Sequence, residues 1–485
     1  MKTIHRTLFR WSVPALALLC LTLTAACSDW LDVKPSTQIE KEDAEKTLTG
    51  YESMLIGAYI QMQSPLLYGR QMSYGAIEYL AEHWNSAPLN SAESALTAHR
   101  YDDEAAEQLF ADMMNAFYKV IFNVNSVLSD IDRHRDILTD HHYELIKGES
   151  IGLRAFCHLE LLRLWGPIPG QADSTACLAY VTRRGKEINE RLPYAEYVRR
   201  IEADLDEAEA LLRDIDPVTE VNVSAREEVS LIGTGKIRSE FFTERRKRFN
   251  YYACIATKAR LYLWTGQPEK AARCATQVID AKDNRGKPIF TYGTRSDMEQ
   301  GDYTLSAEHI FCIDLPSLES NSGLDVYAGR SYKLTKLFKS TDLRLTKLFY
   351  DRTENGSTNT YPYKYLYVPE LKDSRPRALC VVPALRLSEM KLILAEALGK
   401  EQGIPIVNEL GAQRDLAPLS ASTSDSNWLR TLVQEYHREF YAEGQGFFAS
   451  KRIWPKLDVF WPVANNRKSE DIYRIPLPRA ETLTE

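Results

Sequence analysis

This chain of 485 residues has no surplus of positive charge. It carries 60 Lys and Arg against 67 Asp and Glu, a formal net charge of −7, which argues against a nucleic-acid or polyanion binder. After residue 26 it also lacks an apolar run long enough to span a bilayer. With 44% hydrophobic residues, 26% charged residues and a mean hydropathy of −0.35, the composition is that of an ordinary soluble globular protein.

Motifs for catalysis and for metal binding are missing from the sequence as well. The chain contains no H-E-x-x-H, P-loop or dinucleotide fingerprint and no C-x-x-C pair, and its one G-x-S-x-G, at 148–152, falls within a helical pattern at about 143–165. A glycoside hydrolase would need two carboxylates beside one bond, and no motif selects such a pair among 67 acidic residues. We therefore predict a protein that is not an enzyme and has no cofactor and no zinc or redox site. The sequence leaves open whether a structural ion is bound, and a surface hydrolase is kept as an alternative.

Cysteines after residue 27 stand at positions 157, 177, 254, 274, 312 and 380. Several of them fall in helical patterns, which favours buried, small apolar side chains over ligands. An exported protein could also join them as disulfides, and the sequence leaves the pairing open.

The first 26 residues have the pattern of a lipoprotein signal peptide. Lys2, Arg6 and Arg10 form a basic start, and positions 13–23 form an apolar segment of signal-peptide length. The following LTAAC at 23–27 resembles the bacterial lipobox, so we predict that Cys27 becomes the first residue of the mature chain and carries the lipid. A conventional cleavage before a plain cysteine is the alternative. The lipid would then be the only attachment to a membrane, and residues 27–485 would form one domain.

Helical periodicity dominates the mature sequence. Apolar residues recur every three or four positions at 48–62 and at 109–128, and amphipathic segments follow at about 143–165, 194–213, 250–265, 268–281, 385–398 and 427–442. In the pair at 250–281, the spacing of Ala259, Gly266 and Ala271 is typical of a tetratricopeptide helix-turn-helix. The pattern predicts a mainly α fold, a scaffold of imperfect tetratricopeptide-like helix pairs.

Two long segments, about 64–103 and 283–380, interrupt this scaffold. They are rich in Ser, Asn, Gly and Tyr, and loops of such length in a compact protein are usually functional. We expect the second insert to hold short strands or irregular structure over one face of the helices. A plain tetratricopeptide scaffold for a protein partner should keep its 34-residue period, which these inserts break. The basic run at 245–248 is interpreted as a solvated loop before a helix.

Six segments in order resemble one known family. They are SDWLD at 28–32 after the lipidated cysteine, LRAF at 153–156 with GPIP at 166–169, ARLYL at 259–263, LRLSE at 385–389, EYHREFYAEG at 435–444 and YRIPLP at 473–478. Together they resemble the SusD/RagB family of outer-membrane nutrient-binding lipoproteins across nearly the whole mature chain. The chain departs from the family where Gly446 and then Ala449 and Ser450 stand in place of its usual Arg and Asp-Leu, which predicts an altered buried polar network near the C-terminus.

The resemblance implies a lipid-anchored protein at the cell surface that binds a nutrient and does not catalyse. The ligand would be an oligosaccharide or, in some branches, a peptide. It would pass to a SusC-like TonB-dependent transporter barrel in the outer membrane, on which the protein sits as a lid.

Sugar recognition needs flat aromatic faces and nearby polar groups, which both inserts contain. Trp84 is the leading candidate, because it lies where family members often carry a ligand tryptophan; a packing role in the core is the alternative. The other candidates are Tyr68, Tyr74, Asn85 and Asn90 in the first insert, and Tyr292, Asp297, Tyr303, Asn321, Asp325 and Tyr327 in the second.

Overall fold

Long α-helices form the body of the protein. The computed structural model describes residues 44–84, 89–185, 188–221, 225–319, 334–354, 356–365, 380–454 and 469–479. In these ranges the helices are, in chain order, α1 (Leu48–Met62), α2 (Ala76–Leu80), α3 (Ala92–Thr97), α4 (Glu104–Leu128), α5 (His142–Trp165), α6 (Tyr194–Leu212), α7 (Ala225–Ser230), α8 (Tyr251–Trp264), α9 (Pro268–Ile279), α10 (Arg295–Glu299), α11 (Leu334–Leu337), α12 (Leu343–Lys347), α13 (Leu387–Ala412), α14 (Asp425–Glu439), α15 (Gln445–Ile453) and α16 (Ser469–Tyr473). The predicted long helices are confirmed to within a few residues, except that α13 runs on past position 398.

Short strands lie between the helices and form two-stranded antiparallel sheets. The strands are β1 (Ala176–Ala179), β2 (Arg191–Pro193), β3 (His309–Asp314), β4 (Phe349–Glu354), β5 (Ser357–Pro362) and β6 (Val381–Arg386). In the described chain β1 pairs with β2, β3 with β6, and β4 with β5. The second insert therefore contains short strands, as its composition predicts.

Helix packing follows the tetratricopeptide pattern most closely at α8 and α9. Ala259 and Ala271 are fully buried between neighbouring helices, and small side chains there let two helices approach closely. Gly266 makes the turn with φ +73°, a backbone conformation that glycine adopts without steric cost. Pro268 then occupies the first turn of α9, where its missing N–H would be unpaired in any residue.

Local sequence explains where the helices begin and bend. Asp103 caps α4 by accepting a hydrogen bond from the N–H of Ala105, and Asn250 caps α8 in the same way through the N–H of Ala253. Within α13, Gly399 has φ +76° and interrupts the regular helix, close to where the sequence pattern ends. Helix α13 continues beyond this kink and packs against α14.

Charged residues of the family-like segments are buried in ion pairs. Arg154 of LRAF binds Asp204 at 2.7 Å, and Arg260 of ARLYL binds Glu389 of LRLSE at 2.7 Å. The largest set, called here the buried ion network, joins five cations to five carboxylates: Arg344, Lys364, Arg386, Arg414 and Arg438 with Glu308, Asp342, Glu435, Glu439 and Glu443.

The buried ion network attaches the second insert to the helical scaffold. Its members come from α12, β6 and α14, and from residues just before α12 and β3 and just after α13, α14 and β5. Burial alone would raise the pKa of Glu439, but Arg414 and Arg386 hold that pKa well below its ordinary value. Because each charge has an opposite partner, removing one member would leave a buried charge without full compensation.

The interpretation of the basic run at 245–248 as a solvated loop is wrong for two of its arginines. Arg245 is buried and binds both Asp216 and Glu149, while Arg248 is buried with its guanidinium 4.1 Å from the centre of the Phe241 ring. Burial would lower the pKa of Arg245, yet the two carboxylates raise it. Partners distant in the sequence, at 149 and 216, reverse the expectation from local charge.

The six cysteines after residue 27 are thiols, and all but Cys274 are buried. Burial raises the pKa of Cys312 to about 12, so this side chain behaves as an apolar group at neutral pH. Across the described residues, no helix combines the length and the apolar character that crossing a membrane requires.

Candidate ligand-binding site

Four tyrosines of the second insert stack in a row, called here the tyrosine ladder. The ring centres of Tyr303 and Tyr363 lie 4.7 Å apart, those of Tyr363 and Tyr350 4.8 Å, and those of Tyr350 and Tyr361 5.5 Å. The planes within each pair differ by 12° to 27°. Tyr303, Tyr350 and Tyr363 are half-buried, so the ladder reaches the surface along part of its length.

The β4–β5 hairpin sets the spacing of the ladder. Tyr350 and Tyr361 are directly opposed in the register of the two strands, and Tyr363 is the diagonal neighbour of Tyr350. Opposed and diagonal side chains on one face of an antiparallel pair lie within reach of each other when they are aromatic. The opposite face of the hairpin carries Phe349, which is buried.

A second set of rings, called here the aromatic base, packs around Phe349 of the hairpin. It consists of Tyr74, Trp84, Phe349, Tyr365 and Tyr441, all buried. Tyr441 contacts Phe349 at 5.2 Å and Trp84 at 5.4 Å between ring centres, and Tyr74 contacts Tyr365 at 5.4 Å. The base therefore joins the first insert, the second insert and the end of α14. It is the surface on which the hairpin is mounted.

Lys364 fixes the end of the hairpin next to the ladder. Its ammonium group lies 2.5 Å from Glu443 and donates a hydrogen bond to the carbonyl of Tyr441 at 3.1 Å. Glu443 is held in turn by Arg386 at 2.8 Å. Since Lys364 follows Tyr363 directly, the buried ion network holds the backbone from which a ladder ring projects.

Three of the predicted site residues lie in the core in this structure. Trp84 is 1% exposed, and its indole N–H donates a hydrogen bond to the carbonyl of Tyr74 at 2.9 Å. Tyr74 donates to the carbonyl of Gly69, and Tyr68 packs near Phe156. All three rings pack in the core, which was the alternative expectation for Trp84. Whether they also affect ligand binding stays a prediction.

The remaining predicted residues are spread over several places. Tyr303 is part of the ladder, whereas Tyr292 is half-buried beside Lys391, whose ammonium group lies 5.5 Å from the centre of its ring. Asp297 caps α10 with Thr294, and Asn90 is exposed in a left-handed conformation. The described residues do not include Cys27, Asn85, Asn321, Asp325 and Tyr327.

Sequence reasoning did not select the ladder residues Tyr350, Tyr361 and Tyr363. An available signal was the Asn-Gly dipeptide at 355–356, the strongest short-range indication of a hairpin, with Tyr361 and Tyr363 at alternate positions after it. Gly356 has φ +77°, which suits such a turn. Tyr303 could not be paired with them from local pattern, because 47 positions separate it from Tyr350.

A row of buried polar side chains lies beside the aromatic base, where the sequence departs from the family. Glu78 accepts from Nδ1 of His83 at 2.5 Å, Nε2 of His83 accepts from Nδ1 of His437 at 2.7 Å, and Nε2 of His437 accepts from the hydroxyl of Ser450 at 2.7 Å. We assign the protons in this way because a carboxylate can only accept. A Cβ at Gly446 would lie 2.8 Å from Nδ1 of His437, so the glycine leaves room for this ring.

The comparisons with known proteins agree with this architecture. A SusD-like family model described as "Starch-binding associating with outer membrane" matches residues 29–226. A SusD-like protein of Formosa agariphila is 24% identical over 200 residues, which is 41% of this chain and 37% of that relative's length.

Solved structures extend the likeness in fold over most of the chain. A SusD superfamily protein of Bacteroides thetaiotaomicron aligns with a TM-score of 0.66 at 17% identity, covering 90% of this chain and 97% of that one. A SusD-like carbohydrate binding protein of Bacteroides vulgatus aligns at 0.62 and 20% identity, covering 84% and 83%. A laminarin binding SusD-like protein aligns at 0.60 and 16%, covering 90% and 97%. These findings show that the chain has the fold of SusD superfamily proteins over most of its length and is similar to the SusD-like family over residues 29–226.

Proposed function

We propose that this protein binds a nutrient glycan and that the tyrosine ladder is part of its binding surface. The observation that supports the proposal is the stacked row of tyrosines on and beside the β4–β5 hairpin, in which Tyr303, Tyr350 and Tyr363 are half-buried. Aromatic rings offer apolar surface to the C–H faces of sugars, and phenolic hydroxyls can donate and accept hydrogen bonds with sugar hydroxyls. The carbohydrate-binding relatives, one of which binds laminarin, favour a glycan as the ligand class.

Rigidity of the support is the second argument for a site here. The hairpin rests on the aromatic base on one side and is tied to Glu443 through Lys364 at its end. A binding surface whose side chains are already ordered loses less conformational entropy when the ligand arrives. The buried contacts of the aromatic base and of Lys364 thus fix the positions of the partly exposed ladder rings.

The proposal extends to the place of the protein in the cell. We infer a lipoprotein that is anchored at the outer membrane through Cys27 and delivers its ligand to a SusC-like TonB-dependent transporter. The description of the matched family, which associates with the outer membrane, supports this placement. Labelling cells with a palmitate analogue tests the anchor: wild type should be labelled and Cys27→Ala should not. Equal labelling of both would contradict the anchor.

Calorimetric titration of the soluble chain from Ser28 with a panel of oligosaccharides, including laminarin fragments, tests the binding proposal. We expect saturable binding of at least one oligosaccharide, with no new reducing ends during a long incubation. Failure of the whole panel to bind would count against a glycan ligand, and sustained product formation would favour the hydrolase alternative. Tyr292→Ala, measured on the oligosaccharide that binds, decides whether this predicted residue shares the site.

A further inference from the structure

A groove of about 520 Å³ lies between α1 and residues 239–248. Its α1 wall consists of Glu52, Ile56, Tyr59, Ile60 and Gln63, which are spaced so that they share one face of the helix. A groove of this size can accept several side chains of a partner. No ladder residue lines this groove, so the two surfaces can be tested independently.

The groove is rich in carboxylates on both walls. Glu52, Glu240, Glu244 and Asp314 line it, against two cations, Lys247 and Arg248, which leaves a formal charge of 2 − 4 = −2. Lys247 is bound by Glu244 at 2.7 Å and by Asp314 at 3.4 Å. Glu240 is exposed and forms no ion pair with any described residue.

Glu52 lacks a strong cationic partner. Its nearest basic group is His142 at 3.5 Å, and burial raises the pKa of Glu52 more than His142 and Arg248 lower it. A half-buried carboxylate of this kind gains from the arrival of a positive charge.

Exposed aliphatic side chains accompany these charges. Ile56 and Ile60 are 38% and 58% exposed in the groove. Helix α7 exposes Val229 by 59%, and Ile232 just after the helix is 38% exposed. Glu228 of α7 accepts a hydrogen bond from the N–H of Glu244 in the groove wall. These four are half of the eight large apolar residues exposed in the described ranges. Ile56 and Ile60 are neighbours on one face of α1, and neighbouring exposed apolar side chains mark interaction surfaces.

We propose that the groove is the docking surface for a basic, aliphatic segment of a partner protein. Lysine or arginine side chains of that segment would meet Glu52 and Glu240, and its aliphatic side chains would cover Ile56 and Ile60. Acidic ligands are disfavoured by the net negative charge. A protein is favoured over a small molecule because exposed aliphatic side chains are present on α7 as well as on α1, and α7 is hydrogen-bonded to the groove wall through Glu228.

A fluorescent peptide of three Lys-Leu-Ser repeats tests the proposal on the soluble chain from Ser28 by polarisation. The wild type should bind this peptide and should not bind the Glu-Leu-Ser counterpart. Glu240→Lys should weaken binding roughly five- to tenfold, since a favourable charge contact becomes repulsive, and Ile60→Ser should weaken it roughly threefold. Both side chains are exposed, so the fold should tolerate the changes.

Matched controls separate groove binding from general attraction to an acidic protein. Glu401→Lys makes the same change of charge on an exposed part of α13, and Ile188→Ser removes an exposed isoleucine outside the groove. Each control should change affinity by roughly twofold or less. Equal effects of Glu240→Lys and Glu401→Lys, or no binding of the basic peptide, would overturn the proposal. Self-association of the wild type that Ile60→Ser abolishes would assign the groove to a second copy and would also overturn it.

Discussion

The aromatic base and the tyrosine ladder use similar rings for opposite purposes. In the base, Trp84, Tyr441 and Phe349 meet mostly edge to face and are excluded from water. In the ladder, Tyr303, Tyr363 and Tyr350 stack with nearly parallel planes and stay half-buried. Because the rings of the aromatic base are buried, they stabilise the fold. Because the rings of the tyrosine ladder are partly exposed, a ligand can contact them.

This difference shows that aromatic content alone does not locate a binding site. Trp84 satisfies its indole N–H internally and is enclosed by rings from other segments. Tyr350, Tyr361 and Tyr363 instead project from the β4–β5 hairpin, and Tyr303 stacks on Tyr363 from a separate segment. The surroundings that a ring receives from distant parts of the chain decide its role, and four substitutions or conditions should separate the two sets.

The largest effect is expected at Trp84 in the base. Trp84→Ala should lower the free energy of unfolding by roughly 3 to 5 kcal/mol through the cavity that it leaves. Chemical denaturation of the soluble chain measures this loss. Phe122→Ala, which removes a ring that is 44% exposed, serves as the control and should cost far less. A loss at Trp84 as small as that of the control would contradict the assignment of this ring to the base.

The next largest effect is expected at Lys364, which connects the aromatic base to the tyrosine ladder. Lys364→Met removes the cation beside Glu443 and should cost about 3 kcal/mol of stability, because a buried carboxylate loses one of its two cationic partners. Ligand affinity should fall as well, since Tyr363 loses its fixed neighbour. Lys391→Met breaks the partly exposed pair with Glu409 and should cost about 1 kcal/mol or less. Equal losses for the two lysines would show that Lys364 has no special role.

In the ladder, the effect should appear in binding instead of stability. Tyr303→Ala should weaken glycan affinity by roughly 1 to 3 kcal/mol and hardly change the melting temperature. Tyr194→Ala, at a half-buried tyrosine of α6, should leave affinity unchanged. Titration of both variants with the same oligosaccharide makes the comparison. Equal affinities of the two variants would remove Tyr303 from the site.

Low pH should destabilise the region around the aromatic base, where His437 lies, and should not change the stacking of the tyrosine ladder. Burial, with smaller contributions from His83 and Arg438, holds the pKa of His437 well below its ordinary value, so this ring is neutral in the folded protein. Below about pH 6.5 the unfolded chain binds a proton there that the folded chain does not. This group should therefore lower the free energy of unfolding by about 1.4 kcal/mol per pH unit as the pH falls below 6.5.

The variant His437→Gln isolates that contribution. Its stability should depend less steeply on pH than that of the wild type, by about one bound proton, whatever its absolute stability. Denaturation at several pH values between about 5 and 7 measures both slopes. Identical slopes would mean that His437 is not the group responsible.

Periodicity predicted the scaffold because a helix repeats its buried face every three or four residues, as at Met113 and Phe117 of α4. The candidate site was predicted only in part. Tyr303 was chosen for its residue type, yet its stacking on Tyr363 joins segments that are distant in the sequence. Similarly, the local sequence indicated a solvated Arg245, whereas in the structure this residue is paired with Asp216 and Glu149. Contacts of this kind depend on the tertiary fold, which local patterns do not contain.

A crystal structure of the soluble chain from Ser28 with the oligosaccharide that it binds most tightly tests the central claim most directly. We predict a sugar ring in contact with Tyr303 or Tyr363, with the aromatic base unchanged beneath the hairpin. A sugar bound elsewhere, with the ladder still in contact with solvent, would contradict the assignment of the tyrosine ladder as the glycan-binding surface.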